Sequence, residues 1–274
     1  MAVVGHIEWV QFARVASVPR AGEVVHARDV FEEPAGGGAV AAVQLARLAG
    51  AAVLFTALGA DDWGARSRAR LSVVGVDVQA AERERPTRRA ITLLDDGGER
   101  TITTLGERLE PCGADALAWD RLEGIDAVYV TAGDRDAVQR ARAGARVLVA
   151  SPRTGGALDG VELDALVYSA QDSIERDALG RVRAQARLVV ATEGPRGGRY
   201  DGGAAGPSGR WQPQLPPGPV IDTYGSGDSF AAGLTYGLGA GMAPEQAIAL
   251  AARCGAACVT GRGPYGRQLG EEEL

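Results

Sequence analysis

Short runs of apolar residues alternate along the chain with segments rich in Ala, Leu and Arg that carry apolar residues at helical spacing. This alternation is typical of a parallel sheet flanked by helices. Central strands are predicted at 2–5, 52–57, 127–130, 146–150, 165–168 and 188–192. Helices are predicted at 39–48, 65–74, 137–143, 228–238 and 244–258, and the last has the clearest apolar spacing.

Two stretches depart from this alternation, at roughly 8–33 and 87–106. Polar and apolar residues alternate there without helical spacing, and Asp96-Gly97 in the second stretch is a hairpin signal. We interpret both stretches as insertions that form a small sheet projecting from a single domain of residues 1–274. The Pro- and Gly-rich stretch 202–219 predicts a loop-rich excursion.

Composition narrows the class of protein. A length of 274 residues suits one large domain, or a domain with a smaller appendage, and 46% hydrophobic residues is typical of a globular protein. The net charge of -6 argues against nucleic acid as the main partner, since binding a phosphate backbone needs a basic surface. The sequence has no signal pattern and no apolar run of membrane length, so we expect a cytoplasmic protein without a membrane partner.

Two residue types limit the chemistry. Three cysteines are too few for a disulfide framework. Cys254 and Cys258 stand four apart and could share a metal ion, but small buried side chains are the favoured interpretation. All 29 basic residues are arginine. The absence of lysine excludes the P-loop, the strand lysine of protein kinases and a pyridoxal Schiff base, because each requires lysine.

The segment from Asp222 to Gly233 carries the clearest chemical signal. Its sequence, DTYGSGDSFAAG, has two carboxylates around a Gly-Ser-Gly turn that is followed at once by a helical run. Such a turn can direct several backbone N–H groups at one point, and a helix N-terminus adds positive charge, so the segment predicts an anion site. We interpret the anion as a transferring phosphoryl group and Asp228 as the base for the attacking hydroxyl. The alternative is that Asp228 only caps the helix.

Two further glycine segments precede helices, AGGGA at 35–39 and LGADDWG at 58–64. Glycines at a helix start let a ligand approach the backbone. In this order and spacing the three segments resemble the ribokinase/PfkB family of carbohydrate kinases over nearly the whole chain. The segment from Asp222 to Gly233 matches the C-terminal signature of that family closely, and residues 36–48 match its N-terminal signature more loosely.

This resemblance implies a doubly wound α/β fold with a small β-sheet lid, and an enzyme that moves the γ-phosphate of ATP to a hydroxyl of a small sugar or sugar-like substrate. Asp228 matches the catalytic base, and Gly225, Ser226 and Gly227 match the anion hole. The cofactor-binding matches are Thr192, Gly194, Gly197, Thr223, Val259 and Gly263, and the substrate-binding matches are His6, Glu8, Gly36, Gly37, Val40 and Asp228. The resemblance also implies magnesium near Asp172, a monovalent cation such as K⁺ near Asp222, and pairing of two copies through the lid.

Several positions near the substrate depart from the family pattern. Val40 stands where the family commonly has an asparagine that holds sugar hydroxyls, and Glu8 and Val10 align with a polar pair near the first strand. Valine cannot hydrogen-bond a polyol, and an unpaired buried hydroxyl costs about 1–3 kcal/mol, so ribose bound in the usual way is disfavoured. We expect an acceptor that is less hydroxylated, partly apolar, or bound through Glu8 and His6.

The magnesium motif is altered as well, and some interpretations stay open. The family's Asn-x-x-Glu reads Ser169-Ala-Gln-Asp172 here, and the shorter carboxylate suits a role through water. A nucleoside kinase or a weakly catalytic sugar- or nucleoside-binding regulatory protein are the alternatives. An oxidoreductase is disfavoured because Phe230 replaces the third glycine of its fingerprint. Arg153 would touch phosphate or form an ion pair, and Trp9 and Phe12 would line the substrate pocket or pack the lid.

Overall fold

The protein, seen here as a computed structural model that describes residues 1–203 and 206–274, is built around a nine-stranded sheet. From one edge to the other the strands are β13 (Ser208–Trp211), β12 (Gly198–Asp201), β11 (Ala186–Thr192), β10 (Leu163–Ser169), β9 (Ala145–Ala150), β8 (Ile125–Val130), β1 (Ala2–Val4), β4 (Ala52–Gly59) and β5 (Val76–Arg83). Neighbours are parallel from β11 to β5, and β12 and β13 are added antiparallel.

Helices cover both faces of this sheet. They are α1 (Gly37–Ala49), α2 (Asp62–Val73), α3 (Arg135–Gly144), α4 (Ser173–Val182), α5 (Ser226–Gly239) and α6 (Pro244–Cys258). Successive strand residues point to opposite faces. Accordingly Val3 belongs to a core with α1, α5 and α6, whereas Ala2 and Val4 belong to a second core with α3. Burial on both faces explains why the central strands are apolar runs.

A separate sheet of four strands has the order β3 (Asp29–Ala35), β2 (Glu8–Arg14), β6 (Arg89–Leu94) and β7 (Arg100–Leu105). We call it the small sheet. β2 and β6 are parallel, and β3 and β7 pair antiparallel at the edges. In the hairpin between β6 and β7, Gly98 N donates to Asp95 O at 3.0 Å, and Gly98 has a φ of 80°. The left-handed residue of this connection, residues 95–99, is therefore Gly98 rather than Gly97.

The strand order of the large sheet positions the site. β1 lies between β4 and β8. From β1 the chain adds β4 and β5 towards one edge, and it then adds β8 and the later strands towards the other edge. Open α/β sheets bind ligands outside the carboxyl ends of the strands at such a reversal. Gly5 and His6 follow β1 there, and Thr131 follows β8 with its N–H bonded to Val4 O at 2.9 Å.

The predicted strands and helices are confirmed, with small differences at their ends. The sequence pattern misses β5, an edge strand with mixed burial, and α4, which buries only Glu175 and Val182, because neither carries a clear apolar period. The predicted loop at 202–219 contains the short strand β13, and its residues 204 and 205 lie outside the described residues. Among the residues that the structure describes, no helix is long and apolar enough to span a bilayer.

Candidate active site

The predicted anion hole lies at the start of α5. Gly225 precedes the helix with a φ of 78°, and a Cβ built on it would lie 2.9 Å from Val40 Cγ1. Both the left-handed backbone and the close neighbour require glycine. A Cβ built on Gly227 would meet no described atom within 4 Å beyond its chain neighbours and the backbone of its own helix. The surface beside Gly227 is therefore open, and the first turn of an α-helix has N–H groups without an intrahelical partner, which can bind an anion.

Asp228 lies beside this space, inside the helix. The N-cap of α5 is Gly225, so Asp228 stands three residues beyond the cap and does not serve as one. A Cβ built on Gly37 would lie 3.0 Å from Asp228 Oδ1, so the first turns of α5 and α1 meet at this carboxylate.

Desolvation raises the pKa of Asp228 from 3.8 to about 6; Arg100 opposes the rise and Glu175 adds to it. The group is ionised at neutral pH, yet it binds a proton more readily than an ordinary carboxylate. This combination suits a general base.

The glycines at 36–38 bring the backbone of α1 against the loop after β1. A Cβ on Gly38 would lie 2.7 Å from His6 O, and one on Gly36, where φ is 88°, would lie 3.1 Å from the His6 ring. Gly38 N donates to His6 O at 3.2 Å. Close packing of two backbone segments thus explains these glycines, and it sets Gly37 beside Asp228.

His6 and Glu8 are buried side by side. His6 Nε2 lies 3.7 Å from Glu8 Oε1, and Arg88 Nη1 lies 3.2 Å from the same oxygen. Burial, with Arg108 and Arg88 nearby, lowers the pKa of His6 to about 3, so the ring is neutral at pH 7. His6 Nδ1 has no hydrogen-bond partner among the described residues. Burial raises the pKa of Glu8, while Arg88 opposes the rise.

Val10 and Val40 are fully buried. Val40 lies beneath Gly225, and its carbonyl accepts a hydrogen bond from Gln268 Nε2 at 3.3 Å. Val10 shares a core with α1. Both valines pack the floor of the site and add no hydrogen-bonding side chain to it.

Trp9 and Phe12 pack the small sheet. Phe12 is stacked on Phe31 with ring centroids 4.7 Å apart and meets Tyr224 edge-on at 4.9 Å. Trp9 points to the other face of β2, where it contacts Trp63 of α2 at 5.3 Å. Of the two interpretations that the sequence leaves open, packing is therefore the one observed.

Asp222 is buried behind the anion hole. Its carboxylate accepts hydrogen bonds from Tyr224 N at 2.8 Å and Gly263 N at 3.1 Å, and burial raises its pKa. Val259 O in turn accepts from the N–H groups of Ile221 and Asp222 at 2.8 and 3.2 Å. The structure thus brings residues 222, 259 and 263 together as a support for the backbone that enters the turn.

Thr223 contacts the small sheet. Its hydroxyl donates to Gly98 O at 3.0 Å, and Arg100 Nη1 donates to Thr223 O and Oγ1 at 3.1 and 3.0 Å. A contact of Thr223 with the nucleotide stays a prediction.

The turn after β11 holds three more of the residues predicted to bind cofactor. Glu193 N donates to Gly197 O at 2.7 Å, and Gly194 and Gly197 have φ of 61° and 79°. A Cβ on Gly197 would lie 2.2 Å from Trp211 O, so the return through β12 and β13 itself requires this glycine. Thr192 ends the strand. Their contact with a nucleotide stays a prediction.

Asp172 is the N-cap of α4. One carboxylate oxygen accepts from Ile174 N at 2.9 Å and Glu175 N at 3.1 Å, and the other pairs with Arg153. Arg153 also pairs with Glu175, which is buried and accepts a hydrogen bond from Ser169 N at 2.6 Å. The ion-pair interpretation of Arg153 is therefore the one observed.

Four charged residues lie at the site without having been predicted from the sequence. They are Glu175, Arg88, Arg100 and Arg108. Only Glu175 has a local signal, because an aspartate followed three residues later by a glutamate, as in Asp172-Ser-Ile-Glu175, marks a helix start. The arginines are unremarkable in an arginine-rich chain, and only the folded structure brings them to the site.

Cys254 and Cys258 are buried with free thiols, as the favoured interpretation of their sequence expects. Within residues 1–203 and 206–274, no group of three or more His, Cys, Asp or Glu side chains is arranged to hold a metal ion.

Comparisons with known proteins identify the family and the fold of the chain. The sequence model described as pfkB family carbohydrate kinase matches residues 1–155 and 160–268. A putative ribokinase from Agrobacterium tumefaciens is 22% identical with a TM-score of 0.80, over 99% of this chain and 95% of its own. An Arabidopsis thaliana ribokinase complexed with ribose and ATP is 18% identical, with a TM-score of 0.74 over 99% and 96% of the two chains. A Sinorhizobium meliloti adenosine kinase is 18% identical, with a TM-score of 0.76 over the same shares.

No curated protein sequence matches the chain. At these identities the solved structures show the fold alone, and they confirm the ribokinase-like α/β architecture with its separate small sheet. The family match spans nearly the whole chain, and enzymes of this kind transfer a phosphoryl group from ATP, with Mg²⁺, to sugar-like substrates. The chain therefore belongs to the pfkB family and is a carbohydrate kinase.

Proposed function

We propose that the enzyme moves the γ-phosphate of ATP to a hydroxyl of a small sugar-like acceptor, with Asp228 as the base and residues 225–228 as the anion hole. The observation that supports this most is the setting of Asp228, between the open glycine turn of α5 and Gly37, at the reversal of strand order. The small sheet, from the segments 8–35 and 89–105, is the lid that closes over the acceptor.

In this reaction the acceptor oxygen attacks the γ-phosphorus while the bond from that phosphorus to the bridging oxygen of ADP breaks. The electron pair of the broken bond leaves with ADP, and the hydroxyl proton passes to Asp228. The N–H groups of the turn and the N-terminus of α5 stabilise the oxygens of the transferring group. Closure of the lid excludes water, which would otherwise compete as the acceptor.

Magnesium fits this site as an ion carried mainly by the nucleotide. Mg²⁺ in such sites takes phosphate oxygens, water and one or two carboxylates. Asp172 is partly exposed but occupied by Arg153 and by the N-terminus of α4, which suits a ligand acting through water. When bound, the ion would offset the charge of the phosphates. For a monovalent cation the supporting observation is the buried carboxylate of Asp222, whose charged form a nearby cation would favour.

The acceptor end favours a substrate held through His6 and Glu8. These are the polar side chains buried at the end of β1, whereas Val10 and Val40 are inside the core. A neutral ring and a carboxylate can hold one or two hydroxyls. This supports an acceptor with fewer hydroxyls than ribose, or one with an apolar part such as a nucleoside.

The test is ATP consumption by the purified enzyme across a panel of sugars, deoxysugars and nucleosides, with the Asp228→Asn protein assayed in parallel. We expect turnover with at least one acceptor for the wild type only. Clear thermal stabilisation by a sugar or nucleoside without turnover would instead favour a regulatory binding protein. Equal turnover by both proteins would overturn the assignment of the base.

We also propose that two copies pair through the small sheet. Val30, Ile91 and Leu105 lie on one face of it and are 51%, 37% and 37% exposed. Sedimentation of the wild type and of an Ile91→Glu variant tests this pairing, and a monomeric wild type would refute it.

A further inference from the structure

One row of residues crosses the small sheet near its tip. Strand pairing sets Asp29 of β3 beside Arg14 of β2, Arg14 beside Leu94 of β6, and Leu94 beside Arg100 of β7. Side chains in one such row point to the same face of a sheet. The face is the one that carries Phe12, which contacts Tyr224, so the row faces the body of the enzyme.

The two arginines of this row bind the backbone that leads into the anion hole. Arg14 Nη2 donates to Ile221 O at 2.8 Å, and Arg100 Nη1 donates to Thr223 O at 3.1 Å. These carbonyl groups flank Asp222. Arg100 also holds the Thr223 hydroxyl, which donates to Gly98 O at the tip of the small sheet. The tip is therefore tied directly to the residues just before Gly225.

Arg100 and Arg153 differ in how their charges are compensated. Arg153 is paired with two carboxylates, those of Asp172 and Glu175. Arg100 donates to neutral oxygens of Thr223, and it has no ion pair within the part of the chain that the structure describes. Phosphoryl transfer relies on positive groups to stabilise the transferring oxygens, and this chain has no lysine to supply one.

We propose that Arg100 is a positioning residue through which closure of the small sheet completes the phosphoryl-transfer site: it holds the backbone at Thr223 and brings an uncompensated positive charge to the entrance of the anion hole. This inference rests on the proposed function of Asp228 and residues 225–228. When the small sheet moves away in the absence of acceptor, Arg100 and its charge move with it. The hole is then incomplete, which limits hydrolysis of bound ATP.

The charge of Arg100 also acts on the base. The charged groups that influence Asp228 are Arg100, Glu175, Arg153 and Glu8. Arg100 is the stronger of the two arginines in lowering the pKa of Asp228. Removing its charge should therefore raise this pKa above about 6 and move the acid limb of the rate profile to higher pH. A loss of packing alone would not move that limb.

The test compares Arg100→Gln with Arg28→Gln, using the acceptor found in the panel. Arg28 is the matched control, because it is an exposed arginine beside the same tip whose partners in the described chain, Asp96 and Val15 O, lie in the loops of the small sheet. We expect Arg100→Gln to lower kcat near neutral pH about tenfold, to shift the acid limb upward, and to recover part of its rate at alkaline pH. Arg28→Gln should match the wild type.

Arg100→Lys separates charge from geometry. Lysine keeps the positive charge but loses the planar fork, so the acid limb should return towards its wild-type position while kcat recovers only in part. Fluorescence of the Trp9–Trp63 pair, which joins β2 to α2, reports independently whether each variant still closes on the acceptor. If Arg100→Gln has the same kcat and the same acid limb as Arg28→Gln, this inference is overturned and the proposed function is unaffected. A wild type without turnover on any acceptor overturns the proposed function and this inference with it.

Discussion

The two ends of the site are built in different ways. The proposed phosphoryl end comes from one continuous segment, residues 222–228, in which the turn, the carboxylates and the helix start are adjacent in sequence. The acceptor end is assembled from the loop after β1, the start of α1 and the small sheet. One end would recognise its ligand mainly through backbone N–H groups, whereas the other depends on side chains. Of the positions where the sequence departs from the family pattern, Glu8 and Val10 lie at the acceptor end, whereas Val40 lies beneath Gly225 and Asp172 caps α4.

Removing the base should give the largest effect and should affect only the phosphoryl end. Asp228→Asn keeps the size of the side chain but cannot accept the hydroxyl proton, so kcat should fall by about 10²–10⁴ while ATP still binds. Its melting temperature at neutral pH should rise, since the change removes a charge that the fold desolvates. Steady-state kinetics, calorimetric titration with ATP and thermal unfolding measure these quantities. Near-normal kcat on a proven acceptor would contradict the assignment.

The pH dependence should separate the two ends. As the proposed base Asp228 must be ionised, and its pKa is raised from 3.8 to about 6, so kcat at saturating acceptor should fall about tenfold per unit as pH drops below about 6. His6, with a pKa of about 3, should contribute no limb near neutral pH. A rate profile over pH at saturating ATP measures this. An acid limb near the ordinary value of 3.8 would show that Asp228 is not desolvated as described.

Two glycine substitutions in the turn should separate stability from ligand binding. Gly225→Ala forces a left-handed conformation on alanine and places its Cβ 2.9 Å from Val40, so it should lower the free energy of unfolding by about 1–3 kcal/mol. Gly227→Ala adds a Cβ in open space, so stability should stay while KM for ATP rises. Denaturant unfolding and steady-state kinetics distinguish the two. Equal stability of both variants would mean that the turn can relax around Gly225.

The same contrast decides what the sequence can predict. Central strands are recognisable because burial on both faces makes them apolar runs, and the proposed anion hole can be suggested from sequence because its parts are adjacent in the chain. The site arginines are not recognisable in the sequence, since Arg88 and Arg100 reach the site only through the pairing of strands far apart in sequence. The helix α4 also escapes prediction, because it buries only Glu175 and Val182 and therefore has no continuous apolar stripe. Polar tertiary contacts leave no period in the sequence.

A change at the acceptor end should act on KM rather than on chemistry. Glu8→Gln removes the countercharge of Arg88 and one buried carboxylate beside His6. We expect a rise of about tenfold in KM for the acceptor, with kcat and KM for ATP nearly unchanged. Glu33→Gln is the matched control, because Glu33 also lies on the small sheet, in β3, and its carboxylate pairs with Arg70 of α2. A fall in kcat without a change in KM would assign Glu8 to the reaction rather than to binding.

The smallest effect should come from the exposed ion pair that joins the two ends. Asp29 in the small sheet binds Arg262 through two hydrogen bonds of 2.8 Å, and that guanidinium also stacks over Phe31 at 3.7 Å. Because both side chains of the pair are about half exposed, at 53% and 43%, solvent and salt screen the interaction. Asp29→Asn should therefore raise KM for the acceptor only about two- to threefold, and less at high salt.

Asp96→Asn is the matched control for this change, since Asp96 pairs with Arg28 within the small sheet and does not reach the body. If KM for the acceptor rises in Asp29→Asn but not in Asp96→Asn, and this rise is smaller at high salt, the pair contributes to closure over the acceptor. Arg262 precedes Gly263, whose N–H binds the carboxylate of Asp222, so the same pair also contacts the support of the anion hole. An effect of Asp29→Asn on KM for ATP as well as for the acceptor would therefore mean that closure at one end is felt at the other. An effect on the acceptor alone would mean that the support of Asp222 is rigid without the small sheet.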